Sequence, residues 1–476
     1  MQPSMFNVRV PVNTAANSGD VFLMNTFTDA QLIVSSDVAA LLDRAGDGPA
    51  AGSTADERRA LSTLAEHGFL VRDRPTERQQ LEAFFQDVRE RTSQFRLTVL
   101  TTLQCNFACD YCFQGDHGDH NKFAAKMSLE DAVRTAEWAE ERLDALKPES
   151  FVLTFFGGEP LLNMPVVYYL AERLWHASEA RGVRLLINVI TNGLLLTPEI
   201  VDRLNAYGLN GVKITLDGDH DTHNRMRPLR GGQGTFDRII HNVRQVAGTC
   251  RISIGGNFDE TSVDSYPALL DFLKEQEFAD QLARVTFKPI IREPRPPQVP
   301  GFIPLTVVGT EGKPLNGTCM TSAGAGASIC DSCNFLDEKM SFLRDETKKR
   351  GFATADGVHM GPCEIHARHS HTIGPDGALY ACPGFTGDPT QSTGHIDGRR
   401  DPVREQAASR FARIAAWRGC DDCAFIPVCA GGCSVAAHTE LGSMDRPNCH
   451  KTSFEAGVIA LAMEAAAAQM PELIEA

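Results

Sequence analysis

The chain has 476 residues, with 46 Lys and Arg against 61 Asp and Glu for a formal net charge of −15. That length can bury a substantial core without disulfides, and 42% hydrophobic with 22% charged residues excludes wholesale disorder. The acidic balance speaks against a general binder of nucleic acid or anionic membrane. No apolar run reaches the roughly 18–20 residues that span a bilayer, and Met1-Gln2-Pro3-Ser4-Met5 lacks the basic and apolar regions of a signal peptide. The expectation is therefore a soluble cytoplasmic protein.

In chain order, residues 21–26 and 31–34 read as short strands around a polar turn, 38–44 and 55–67 as helices, and Gly68-Phe69-Leu70-Val71 as a closing strand. Together they predict a winged-helix-like domain over 1–75, followed by a charged linker helix over 76–94. From 95 to 291 apolar runs at 96–103, 151–156, 184–190, 211–216, 251–256 and 284–290 alternate with helix candidates at 128–146, 165–181, 198–207, 235–246 and 262–277. Ser128 and Asp131 stand at capping-box spacing before the first of these helices. Six strands alternating with helices imply a parallel sheet with its chemistry on loops after the strand C-termini, either doubly wound or a partial barrel. Residues 292–362 are rich in Pro and Gly and read as insertion or linker; 363–452 is loop-rich and dense in cysteine, and 453–476 is an Ala-rich C-terminal helix.

Fourteen cysteines in a chain expected to stay reduced point to metal or redox chemistry rather than disulfides. Cys105, Cys109 and Cys112 form C-x3-C-x2-C directly after the first strand of the alternating region. A closed tetrahedral zinc site wants four ligands, whereas a [4Fe–4S] cluster held by three thiolates leaves one iron open. Cys250 stands alone and reads as a small buried hydrophobe.

With its aromatic Tyr111 before the last cysteine, this loop resembles that of the radical S-adenosylmethionine (SAM) enzymes. The resemblance implies a partial (β/α)6 TIM-like barrel in which Cys105, Cys109 and Cys112 hold a SAM-binding [4Fe–4S] cluster, Tyr111 packs near the adenine, and reductive cleavage of SAM yields a 5′-deoxyadenosyl radical. Gly157-Gly158-Glu159-Pro160, about 45 residues further on, resembles the family's motif for the SAM amino group. Thr191-Asn192-Gly193 ends the third strand, and Thr215-Leu216-Asp217-Gly218 resembles a motif near the ribose or carboxylate. His223-Asn224-Arg225-Met226-Arg227 is similar to an H-D-x-x-R run with Asn224 in place of Asp; Arg227 is then a ligand of the SAM carboxylate or a surface ion-pair partner.

Cys363, Cys382, Cys420, Cys423, Cys429, Cys433 and Cys449 fall in the order of the SPASM extension of this family, which carries two auxiliary [4Fe–4S] clusters. C-x2-C alone would equally suit a zinc ribbon or redox pair. By the resemblance Cys420, Cys423, Cys429 and Cys449 hold the outer cluster, and Cys363, Cys382 and Cys433 the inner one. Cys319, Cys330 and Cys333 are candidates for its missing ligand, or the site stays open to a substrate group; the plainer reading of Cys330 and Cys333 is a metal-free loop.

The N-terminal domain resembles the leader-peptide recognition element of peptide-modifying radical SAM enzymes, the plainer reading being a structural cap. The expected function is maturation of a ribosomally made precursor peptide, leaving a thioether, a C–C or C–O crosslink, or an oxidised or excised residue. The expected partners are that leader-bearing peptide and a low-potential donor such as flavodoxin or ferredoxin, with no nucleic acid and no membrane. An anaerobic sulfatase maturase is the alternative, weakened because Pro383 stands where that group carries an Asp base. A non-catalytic iron–sulfur electron carrier is a third reading, and it would need no SAM pocket. His117, Asp119 and His120 read as a solvated polar loop, and no general base is assigned.

Overall fold

A computed structural model describes residues 1–13, 18–45, 54–114, 124–291, 331–359 and 361–468. Near its start, β1 (Gln2–Pro3) precedes an antiparallel sheet of β2 (Asn7–Asn13), β3 (Ser18–Asn25) and β4 (Ala30–Val34), followed by α1 (Ser36–Arg44) and α2 (Ala55–Glu66). The first strand of this sheet is missing from the expected set: Pro11 interrupts its pattern, and Pro is tolerated there because β2 is an edge strand. The expected closing strand shrinks to β5 (Leu70–Val71), which pairs with β1 and not with the sheet. Thr54 caps α2 through a capping box with Glu57.

The expected linker helix is α3 (Arg74–Glu90), started by Asp73, whose side chain accepts from Thr76 N at 2.8 Å. It is anchored: Phe85 is buried and stacks on Trp417 with ring centroids 4.5 Å apart.

There follow β6 (Gln94–Leu100), α4 (Leu129–Leu146), β7 (Ser150–Phe156), α5 (Met164–Glu179), β8 (Arg184–Thr191), α6 (Pro198–Asn205), β9 (Leu209–Thr215), α7 (His220–Met226), α8 (Phe236–Val246), β10 (Ile252–Phe258), α9 (Tyr266–Lys274) and β11 (Leu282–Pro289). The six strands are parallel, and their spatial order follows the chain from β6 to β11. A doubly wound sheet reverses its order at a switch point; this one does not, which decides for the partial barrel. Alternation along each strand divides its faces. Phe95, Leu97, Val99, Phe151, Leu153, Ile187, Val212, Ile214 and Ile254 are buried in the main core with the helices, while Thr98, Thr154, Asn188, Lys213, Asn257 and Lys288 belong to the opposite, inner face. The capping box of Ser128 and Asp131 is present.

The expected linker at 292–362 contains a 19-residue helix, α10 (Asp331–Lys349), packed against α9, β11 and the last helix. Further on lie β12 (Ser370–Ile373), β13 (Ala378–Tyr380), β14 (Gly394–His395), α11 (Pro402–Phe411), α12 (Ile426–Cys429), α13 (Ser434–Leu441) and α14 (Lys451–Ala468). The cysteine-rich region is tied to the barrel by backbone bonds: β12 runs parallel to β6 and, with β13 and β14, widens the sheet to nine strands. Val458 and Ala462 of α14 pack with Val10, Val12, Phe22 and Met24, so the last helix covers a face of the first sheet. Among the described residues no helix is long and apolar enough to cross a membrane.

Candidate functional site

The loop carrying Cys105, Cys109 and Cys112 leaves the C-terminal end of β6, and neighbouring loops hold it on three sides. Beneath it runs the turn after β7, where Gly158 N donates to Thr102 O at 2.8 Å and Glu159 N to Gln104 O at 2.8 Å. The approach leaves no room for side chains. A Cβ on Gly157 would fall 2.2 Å from Thr102 O, and one on Gly158 2.2 Å from Gln104 O; Gly157 also has φ +134°, which L-residues rarely adopt. From the end of β8, Asn192 Nδ2 donates to Asn106 Oδ1 at 2.7 Å and lies 3.9 Å from Cys105 Sγ. From the segment after α7, Ala108 N bonds Pro228 O at 2.9 Å and Arg230 Nε bonds Cys105 O at 2.8 Å.

Glu159 is fully buried and faces inward to the protein. Its carboxylate accepts from Leu161 N at 3.0 Å, Thr191 Oγ1 at 2.7 Å and Asn192 N at 2.8 Å. Burial raises its pKa in spite of these donors. The side chain thereby fixes the Thr191–Asn192 corner, while Pro160 opens a short 3-10 turn behind it.

Beside the cysteine loop, β9 and β10 contribute a buried polar network. Asp217, with no exposure, accepts from Asn257 N at 2.6 Å and from the hydroxyl of Tyr111, and pairs with Arg227 at 3.4 Å. Arg227 Nη1 also donates to Tyr111 Oη at 2.5 Å, and its guanidinium lies 5.5 Å from the Phe107 ring centroid. Arg227 is therefore a buried partner of the loop; the surface ion pair is excluded. Thr215 ends β9 opposite Gly255. His223 Nδ1 accepts from Asp217 N at 3.1 Å, and its Nε2 meets Thr235 Oγ1 at 3.0 Å. Thr235 Oγ1 donates to Arg227 O at 2.8 Å, which makes His223 Nε2 the protonated nitrogen, and burial holds this ring neutral. Asn224 turns away and caps α8, accepting from Thr235 N at 2.7 Å and Phe236 N at 3.0 Å.

The structure also gathers the C-terminal cysteines. Cys423 N donates to Cys420 O at 3.2 Å, and Asn448 N, next to Cys449, donates to Gly431 O at 2.9 Å between Cys429 and Cys433; burial pushes the Cys420 thiol up to about 12, with Cys429, Cys423 and Cys449 adding to the rise. Cys382 is pushed up to about 12 by burial, with Cys363 and Cys433 adding their share. In the barrel loop, burial and Glu159 raise Cys105 to about 12 with Cys109 contributing, and Cys109 is raised by burial with Cys112 contributing. Cys319, Cys330 and the Cys333 side chain lie outside the described residues, as do His117, Asp119 and His120; Cys250 is half-buried and apart from all three groups.

Clustered thiols repel one another as thiolates, and a cationic cluster between them relieves that repulsion. A single zinc ion, with Zn–S of about 2.3 Å, needs its sulfurs within about 3.8 Å of each other. Among the described residues no set of three or more His, Cys, Asp or Glu is gathered for a single ion. Three or four thiols in each group match in number and kind the ligands of iron–sulfur clusters, whose thiolates bind separate irons. Arg227 Nε, buried and without a partner, leaves a donor for an anionic ligand beside the loop.

A parallel partial barrel with such a loop at the strand C-termini defines a class. Residues 99–255 match the family model of the Radical SAM superfamily, and the chain carries a radical SAM domain. It is 27% identical over 176 residues to Fe-coproporphyrin III synthase of Methanosarcina barkeri, covering 37% of this chain and 40% of that one. It is 32% identical over 151 residues to GTP 3′,8-cyclase of Synechococcus sp. strain WH7803, covering 31% and 41%. The chain thus spans about two-fifths of the length of these curated relatives. Their names point to different substrates, so the shared stretch assigns none. The solved structure of anSMEcpe with bound AdoMet and Cp18Cys peptide superposes with a TM-score of 0.54 at 16% identity, over 79% of this chain and 99% of that one, a likeness of fold.

Two features of the site escaped the sequence reading. Asn257 and Tyr266 close the network from β10 and α9, Tyr266 Oη donating to Asn257 O at 2.7 Å. The signal available was Gly255-Gly256 inside a strand, which marks a close approach. Arg230 had no motif to reveal it.

Proposed function

We propose that the chain is a radical SAM enzyme that abstracts hydrogen from a ribosomally made precursor peptide and installs an oxidative modification such as a thioether, C–C or C–O crosslink. The observation that carries this reading is the Cys105–Cys109–Cys112 loop, held at the strand C-termini over a Gly157-Gly158 turn that admits no side chain. When bound there, a [4Fe–4S] cluster and SAM would supply a 5′-deoxyadenosyl radical. Cys105, Cys109 and Cys112 would be the cluster ligands. Gly157, Gly158, Glu159 and Pro160 would shape the floor, with Glu159 positioning Asn192 against the cluster loop. Tyr111, Asp217 and Arg227 would form one wall of the SAM pocket and Thr215 its edge, and the free Arg227 Nε would meet the cofactor's carboxylate. The half-buried inner face of the barrel would keep bulk water from the radical.

Cys420, Cys423, Cys429 and Cys449, and separately Cys363, Cys382 and Cys433, would hold two auxiliary clusters in a SPASM-type region over 363–452. The sheet of residues 1–75 would receive the leader. β2 packs beside α14, whereas β4 pairs only with β3 among the described residues, so its outer edge suits an added peptide strand. A low-potential flavodoxin or ferredoxin would supply electrons.

The test is anaerobic reconstitution with iron and sulfide, incubation with SAM and dithionite, and assay for 5′-deoxyadenosine. It is followed by mass spectrometry of short precursors encoded beside the gene and co-expressed with it. Formation of 5′-deoxyadenosine that is abolished in the Cys105/Cys109/Cys112→Ala variant, with a mass change in one precursor, is expected. Turnover undisturbed by that triple replacement would refute the proposal.

A further inference from the structure

The chain carries a net charge of −15, yet its barrel presents cations on the inner face. Lys213 of β9 and Arg284 of β11 are both register partners of Ser253 on β10, and Lys288 is the partner of Asn257. Period-two alternation sets all three opposite the buried Val212, Ile214 and Val285. The Lys213 stem runs over Gly255, where a Cβ would fall 2.6 Å from its Cε, and this points the ammonium along the strands toward Asn257 and the polar network.

None of the three has an ion-pair or hydrogen-bond partner among the described residues. Arg96, on the inner face of β6, is the contrast: it pairs with Glu364 at 3.1 Å and its Nε donates to Gln94 Oε1 at 2.6 Å. Lys213, Arg284 and Lys288 are all exposed to solvent. Desolvation by the surrounding protein lowers the Lys213 pKa and Lys288 and Arg284 lower it further, so the charges reaching it are of its own sign. Cations gathered in a concavity focus a positive potential and draw in an anion.

We propose that Lys213, Arg284 and Lys288 form a subsite for a carboxylate of the peptide substrate, seating an acidic group on the inner face beside the Tyr111–Asp217–Asn257 network. This deepens the peptide reading and rests on it. The carboxylate comes from an Asp or Glu side chain or from a chain end, and both are met by the same donors.

The experiment uses the full chain, reconstituted anaerobically, and three fluorescein-labelled pentapeptides followed by anisotropy: one with a central Glu and an amidated C-terminus, its Gln counterpart, and the Gln peptide with a free C-terminus. The Glu peptide is expected to bind at least about tenfold more tightly than its Gln counterpart, with an advantage that shrinks as salt rises. Lys213→Gln/Arg284→Gln/Lys288→Gln together should cut that advantage below about twofold, and Arg284→Lys alone should keep it. Preference for the free C-terminus over the amide, lost in the same triple variant, supports the subsite and assigns the carboxylate to the chain end. Equal binding of all three peptides by the wild type, no binding of any, or an undiminished preference in a triple variant of normal circular dichroism and iron content overturns it. Should the triple variant not fold, a Glu advantage that ignores salt overturns it as well. 5′-Deoxyadenosine formation by the wild type is measured in parallel: its absence defeats the radical SAM reading, while the peptide series still judges the subsite.

Discussion

Gly158→Ala tests the coupling between the turn after β7 and the cysteine loop. Its Cβ would stand 2.2 Å from Gln104 O and 2.5 Å from the Gln104 carbonyl carbon. An ordinary carbon–oxygen contact is about 3.3 Å, so one backbone must retreat by about 1 Å. The retreat stretches the Glu159 N to Gln104 O bond, and Cys105 is the next residue. Overpacking against rigid backbone and a weakened hydrogen bond together cost about 2–4 kcal/mol. Displacing a reacting group by about 1 Å costs roughly 100-fold in rate. The assay is iron and sulfide content after anaerobic reconstitution, with thermal unfolding and 5′-deoxyadenosine formation. The variant is expected to lose about four irons per chain, one [4Fe–4S] complement, and nearly all turnover. Gly182→Ala is the control, because Gly182 has φ +65° but nothing within 4 Å of a Cβ; it should cost about 1–2 kcal/mol and leave the iron in place. Wild-type iron and turnover in Gly158→Ala would refute the argument that this contact sets the loop.

Arg227→Met strands the fully buried Asp217 and should destabilise the chain by about 3–5 kcal/mol in urea unfolding; adding Asp217→Asn should recover most of the loss, and a double variant no better than the single would remove the basis for the pair. His359 lies 2.7 Å from both Asp29 and Asp356; burial works against its proton, but the two carboxylates more than offset this and raise its pKa. Its contribution is therefore complete below about pH 6.5 and fades as pH rises through the raised pKa, so the melting difference between wild type and His359→Gln should narrow from pH 6 to pH 9. Val458→Asp buries an unpaired charge against β2 and should cost about 3 kcal/mol or more, seen as faster limited proteolysis of the first sheet. Cys382→Ala and Cys429→Ala should each lower iron content independently; loss of the same iron in both variants would contradict two separate thiol groups.

The barrel was legible because its strands alternate apolar residues over several turns of chain and its helices start on readable caps such as Ser128. The cysteine loop was legible because close ligand spacing is local. What stayed hidden depends on distant partners. β2 carries Pro11 and becomes a strand only where β3 and α14 receive it. β12 is four residues long and is stabilised by joining β6. α10 was obscured by the Pro- and Gly-rich stretch before it. Glu159 and Asn224 show the same limit in the site: the motif positions were readable, but the hydrogen bonds that occupy the two side chains belong to Thr191, Asn192, Thr235 and Phe236.

The embrace of β2 by α14 has a consequence for biosynthesis. The sheet of β2, β3 and β4 keeps an oily side open until much later segments are made, because Val358, Phe425, Val458 and Ala462 are the residues that close over Val10, Val12, Phe22 and Met24. A prematurely terminated product would therefore present that uncovered sheet face to proteases and chaperones.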